Sequence, residues 1–109
     1  MEISEKLLKR FKLSVGDLQE GNVVEDAYYK TFLEMAIMDF STDDISEEVL
    51  IESGTPAIIL SATELMNKKD ITENKTISLW RTKLSAITKG DRYKDNDENL
   101  YNNEPRAKL

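Results

Sequence analysis

Apolar residues recur along this chain in blocks of helical spacing, separated by short polar breaks. The most apolar block runs from Thr55 to Met66. There positions 58, 59, 62, 65 and 66 are apolar, at i, i+1, i+4, i+7 and i+8, while Ser61, Glu64 and Lys68 line the opposite side. Gly54 ends what precedes it and Thr55 offers a hydroxyl as N-cap. Pro56 suits the first helical position, where its missing N–H costs nothing. The pattern predicts a core helix against which the other helices pack.

Upstream, Ile3, Leu7, Leu8 and Phe11 predict a short amphipathic helix over 4–12, capped by Ser4. Lys6, Lys9, Arg10 and Lys12 make its exposed side basic. Leu13 to Gly21 reads as a loop punctuated by Gly16 and Gly21. Asn22 then caps a second helix, about Val23 to Phe40, with Glu25 completing a capping-box-like pattern. That helix carries two adjacent apolar stripes, one of Tyr28, Phe32 and Met35, the other of Tyr29, Leu33, Ile37 and Phe40. Only Asp26, Lys30 and Glu34 mark a clearly wet side. A surface helix usually buries a narrower arc. Two arrangements account for the width: a central helix buried on several sides, or a second stripe, Tyr29, Leu33, Ile37 and Phe40, that packs on a neighbouring subunit.

Asp39, Ser41 and Asp43 fall at positions 1, 3 and 5 of a calcium loop, but the match then fails. Asp44 stands where glycine is needed and Leu50 where a closing glutamate belongs. The segment reads instead as a turn before a short helix capped by Ser46, with Glu47 and Glu48 placed favourably in its first turn. After Met66 the chain turns polar. Ile71-Thr72 and Thr76-Ile77 flank Glu73-Asn74-Lys75, which suits either a small hairpin or a structureless surface loop. Ser78 caps an expected last helix with a Trp80, Leu84, Ile87 stripe, a core role for Trp80, and Gly90 as its stop. Residues 91–109 are rich in Asn, Asp, Glu and Lys and bury too little to order alone. An extended tail of this kind needs a partner, with Tyr93, Leu100, Tyr101 and Leu109 as anchors. The expected organisation is a helical domain over 1–90 and a tail over 91–109. The fold class is all-α, a bundle of four to five helices.

Composition narrows the chemistry. At 109 residues the chain makes one domain with a core of its own. It contains no cysteine, hence no disulfide, and no histidine, hence neither the commonest general base nor the commonest metal ligand. No apolar run approaches the roughly 20 residues of a membrane span, and the N-terminus lacks a signal-peptide pattern. A soluble protein made inside the cell is expected. Net charge is −6, and its distribution is uneven: between Asp17 and Glu52 Lys30 is the only base among eleven acids. Such a surface is solvated, repels nucleic-acid phosphate or mimics it, and is unlike the basic patch of a DNA binder. No pairing of residues suggests catalysis, and neither an enzyme nor a cofactor is expected.

The order of these segments resembles the head–tail connector (adaptor) proteins of long-tailed bacteriophages. The run Val24-Glu25-Asp26-Ala27-Tyr28-Tyr29-Lys30-Thr31-Phe32-Leu33-Glu34-Met35-Ala36-Ile37-Met38-Asp39-Phe40 is similar to that family's acidic, then amphipathic, first long helix. Ile45-Ser46-Glu47-Glu48-Val49-Leu50 and the Pro56-initiated helix ending in Asn67-Lys68-Lys69 match its middle. Residues 70–78 match its polar loop, and Leu79 to Tyr93 its last helix and basic-aromatic end. Thr76-Ile77-Ser78 stands where the family starts that helix with Pro-Gly. The resemblance implies a virion protein of the neck, made in the host cytoplasm. It implies a homo-oligomeric ring, commonly dodecameric, between the portal and the next head-completion, stopper or tail protein. That ring extends the channel for viral DNA without reading sequence. On this reading Asp70, Ile71, Thr72, Glu73, Asn74 and Lys75 face the lumen or the next ring. The tail docks on the portal or an adjacent subunit. Two other classes compete from the residues alone: an acidic inhibitor that mimics DNA, and a helical antitoxin-like module that folds its tail onto a partner.

Overall fold

A computed structural model describes residues 3–103, with side chains described for residues 3–90. Five helices follow one another: α1 (Glu5–Ser14), α2 (Val23–Phe40), α3 (Glu47–Ser53), α4 (Thr55–Met66) and α5 (Lys75–Asn103), with a 3-10 turn at Ile71–Glu73 before α5. No strand occurs among the described residues beyond an isolated Thr42–Ile45 bridge that closes the α2–α3 turn.

Local capping explains most boundaries. Ser4 Oγ accepts from Leu7 N–H, Asn22 Oδ1 from Glu25 N–H, and Ser46 Oγ from Val49 N–H, as side-chain caps of α1, α2 and α3. Helix α1 ends in a Schellman turn. There Gly16 N–H reaches Leu13 O (3.1 Å) and Asp17 N–H reaches Lys12 O (2.8 Å), with Gly16 at φ +82°. Helix α4 ends the same way, through Lys68 N–H to Leu65 O and Lys69 N–H to Glu64 O. Here the left-handed residue is Lys68, at φ +61°, where a Cβ is unfavourable.

Four expectations differ. Gly54, not Thr55, caps α4, and Thr55 already lies within the helix. The proposed hairpin or open loop is instead a 3-10 turn, because Asp70 Oδ1 accepts from both the N–H and the hydroxyl of Thr72 and Ile71 enters the core. Asn74, not Ser78, starts α5, its Oδ1 accepting from Ile77 N–H. Gly90 does not end α5: the backbone continues helical to Asn103, so residues 91–103 are not extended. The side chains of Tyr93, Leu100 and Tyr101, and residue Leu109 altogether, lie outside the described residues.

The core forms where α2 lies along α4, its most extensive partner, with α1 packed on both and α3 and α5 closing the far side. Phe11, Leu33, Phe40, Leu50, Ile58, Ile77 and Leu84 are fully buried. Ala36 on α2 and Ala57 and Ala62 on α4 are also fully buried; such small side chains suit closely packed helices. Ser61, expected on the wet side of α4, is fully buried too, and its Oγ finds no hydrogen-bond partner. Helices α3 and α4 share Gly54, which donates to Leu50 O (2.8 Å) and accepts from Ile58 N–H (2.9 Å). They bend by 91° there. No single helix among the described residues is long and apolar enough to cross a membrane. On α5 the buried line is Ile77, Leu84 and Thr88, with Trp80 and Ile87 at its margin rather than its centre. Thr88 donates to Leu84 O and accepts from Ser46 N–H (3.2 Å), which ties α5 to the start of α3.

Candidate functional site

Helix α2 is apolar on two opposite sides, and the structure uses one of them. Tyr29, Leu33, Ala36, Ile37 and Phe40 lie in the chain's own core. The stripe expected to meet a neighbouring subunit (Tyr29, Leu33, Ile37 and Phe40) is therefore consumed by α4 and α1 and has no surface to offer. The other side remains in solvent: Val24 is 82% exposed, Tyr28 51%, Met35 44% and Met38 75%. Phe32, the third member of that expected stripe, is only partly buried against the core. Exposed apolar side chains aligned on one helix side, as opposed to scattered ones, mark an interaction surface.

These exposed positions have a regular spacing. Residues 24, 28, 31, 35 and 38 are separated by four, three, four and three, the seam spacing by which one helix packs along another. Thr31 is the polar member, and its hydroxyl donates to Ala27 O (2.9 Å), so the helix itself satisfies it. Glu25 and Asp39 border the seam on one side and Glu34 on the other. The seam was present in the sequence; what hid it was the second apolar stripe on the opposite side of the helix.

A polar hub holds the first turn of α2. Lys12, expected on the basic exposed side of α1, is only 6% exposed. Its Nζ donates to Asp26 Oδ1 (2.7 Å) and to Gln19 O (2.6 Å), which clamps the α1–α2 loop. The hydrogen bond to Asp26 raises the Lys12 pKa above that of an ordinary lysine, against the opposing effect of burial. Tyr29 hydroxyl donates to Asp17 Oδ2 (3.0 Å) and its ring meets Phe11 edge-on at 5.5 Å. Burial first, then the hydrogen bond to Asp17, pushes Tyr29 up to about 12. The Gln19 N–H first, then the neighbouring Glu25 carboxyl, hold Asp17 below the usual carboxylate range, while the Asp17 carboxyl and burial raise Glu25. Glu25 thus turns towards Asp17 in place of the reciprocal half of a capping box. At the other end of α2, Arg81 of α5 donates to Asp39 O and Oδ2 and stacks over Phe40 at 4.6 Å.

Beside this hub lies an open concavity of about 720 Å³, lined by Lys9, Lys12, Leu18, Glu20 and Asp26 among others. Four of its charges are paired with one another: Lys12 with Asp26, and Lys9 with Glu20 at 3.9 Å. They brace the loop and do not form a nucleophile–base pair. No group of three metal-ligating side chains occurs among the described residues. Asp39, first in the calcium-like spacing, is engaged by Arg81.

The expected loop site is divided by the fold. Ile71 is buried, Asn74 caps α5, and Asp70, Thr72, Glu73 and Lys75 are exposed around them. Thr72 holds the Asp70 carboxyl below the ordinary aspartate range. The stretch is a pinned turn that presents four polar side chains. Comparison with protein-family models, curated proteins and solved structures returned no match to the chain.

Proposed function

We propose that this chain is a structural subunit of a homo-oligomeric ring at the head–tail junction of a long-tailed bacteriophage. The ring would lie between the portal and the next neck protein and continue the DNA channel. The observation that carries the reading is the uncovered seam on α2, a built helix-packing surface that one copy of the chain leaves empty. A ring closes by repeating one contact between two different faces of each subunit, so every subunit needs such a face. The segment order, which resembles that of the connector family, supports the assignment to the neck. The acidic stretch supports a channel role, since a wall that neutralised phosphates would grip the DNA it must let slide.

The decisive experiment combines the purified chain with the portal protein of the same virus and images the product by electron microscopy. A second ring stacked on the portal establishes the reading and shows which residues line the channel. Bare portals at high concentrations of both proteins overturn it.

A further inference from the structure

The seam on α2 has a counterpart on α5. Positions 75, 79, 82, 86 and 89 repeat the four-three-four-three spacing, and Lys75, Leu79, Thr82, Ala86 and Lys89 are all exposed, Leu79 by 70%. Thr82, like Thr31, satisfies its hydroxyl on its own helix, at Ser78 O (3.2 Å). Between Lys75 and Gly90 the sequence contains four bases and no acid. One of those bases, Arg81, turns inward to Asp39, and Lys83 sits over the Trp80 ring at 4.7 Å on the rim of the exposed face.

We infer that the α2 seam of one copy docks on the exposed face of α5 of a second copy, in a head-to-tail contact. The two stripes have equal length, each spanning fourteen residues, or about 21 Å of helix. With the two stripes aligned in the same direction, Met35 faces Ala86, large against small, Tyr28 faces Leu79, and the two self-satisfied threonines, Thr31 and Thr82, face each other. The charges of the two faces are complementary too. Glu34 borders the α2 seam and pairs with no cation among the described residues, and Lys75 and Lys89 end the α5 face with Lys83 on its rim, whereas Asp39 and Glu25 are already engaged by Arg81 and Asp17. Pairing α5 with α5 would set Lys75, Lys83 and Lys89 base against base, whereas pairing α5 with α2 brings them to Glu34, so charge favours the mixed contact. Because the two faces differ, the contact propagates from copy to copy. The inference rests on the ring reading for closure, though not for the contact itself.

The chain has no cysteine, so introduced thiols report unambiguously. Met35→Cys and Ala86→Cys chains, mixed in equal amounts at high concentration and low salt, are treated with a short bis-maleimide. The mixture should give several-fold more dimer than either chain alone, because only the mixture places a thiol on both sides of the contact. Adding Glu34→Lys to the first chain should lower that yield, and Lys83→Glu in the second should restore it. Equal yields in all three arms, dimers mainly from Met35→Cys alone, or no dimer in any arm each overturn the contact. A double Met35→Cys/Ala86→Cys chain separates the two proposals. Cross-linked open filaments leave the contact standing and remove the ring, whereas closed rings without α2–α5 cross-links do the reverse.

Discussion

The ammonium of Lys12 lies 2.7 Å from a carboxylate oxygen of Asp26, and the lysine side chain is the more deeply buried partner, 8% exposed against 24%. Removing either partner of such a pair is unequal in cost, because the group left behind must find water where it stands. Asp26→Asn keeps an oxygen that can accept from the ammonium but removes the carboxylate charge that balances it where it is buried. Lys12→Met leaves a carboxylate that water already reaches. Asp26→Asn should therefore lower Tm more than Lys12→Met, read by circular dichroism, and the double variant should recover part of the loss.

Alkali should open the same region. The unfolded chain releases the Tyr29 proton near pH 10 while the folded chain holds it to about 12. Stability from this group is complete below pH 10 and is lost as pH rises through that window. Lys12 is also raised, so its contribution is lost in the same direction. Denaturant titrations between pH 9 and 12 should show a falling midpoint, with a shallower fall in Tyr29→Phe. An unchanged slope in that variant would place the alkaline transition elsewhere.

Gly54 is needed for space. Its φ is −104°, ordinary for any residue, but a Cβ there would meet Leu50 O at 2.6 Å and Leu50 Cδ1 at 2.9 Å. Gly54→Ala should destabilise the chain by about 1–3 kcal/mol, the usual cost of overpacking. A variant within experimental error of the parent would show that the α3–α4 corner can shift.

Two positions should gain stability. Ser61→Ala removes a fully buried hydroxyl without a partner and should add about 1 kcal/mol. Lys68→Gly relieves a left-handed lysine at the end of α4 and should add roughly 1 kcal/mol. Urea midpoints of the single variants and of the pair check both, and the gains should add, since the residues act on separate features.

On the proposed channel role, reversing charge at Glu47, Glu48 and Glu52, all exposed on α3, should cost little stability and slow DNA passage or ejection. Unchanged infectivity of the triple variant removes α3 from the channel wall.

Helix identity was legible in the sequence because it depends on neighbours in the chain. The caps at Ser4, Asn22 and Ser46 act within three residues, and the extents of α2 and α4 follow from uninterrupted periodicity. Where local signals competed, the fold decided. Asn74 outranked Ser78 as the cap of α5 because Ile77 had to reach the core, and the polar stretch before it tightened into a 3-10 turn to bury Ile71. Lys12 read as one base among four on an open face, and only the arrival of α2 gave it Asp26 and enclosed it.

By itself, then, the sequence determined an all-α chain, its helical segments, its acidic middle and the excess of apolar surface on α2. The spacing of residues 24, 28, 31, 35 and 38 was written there as plainly as that of the core stripe. Which of the two stripes would be buried was a tertiary matter, since both satisfy helical periodicity and a helix in isolation does not distinguish them. Small residues on α4 and the ring of Phe11 on α1 received Tyr29, Leu33, Ile37 and Phe40, and that packing left Val24, Tyr28, Met35 and Met38 facing water.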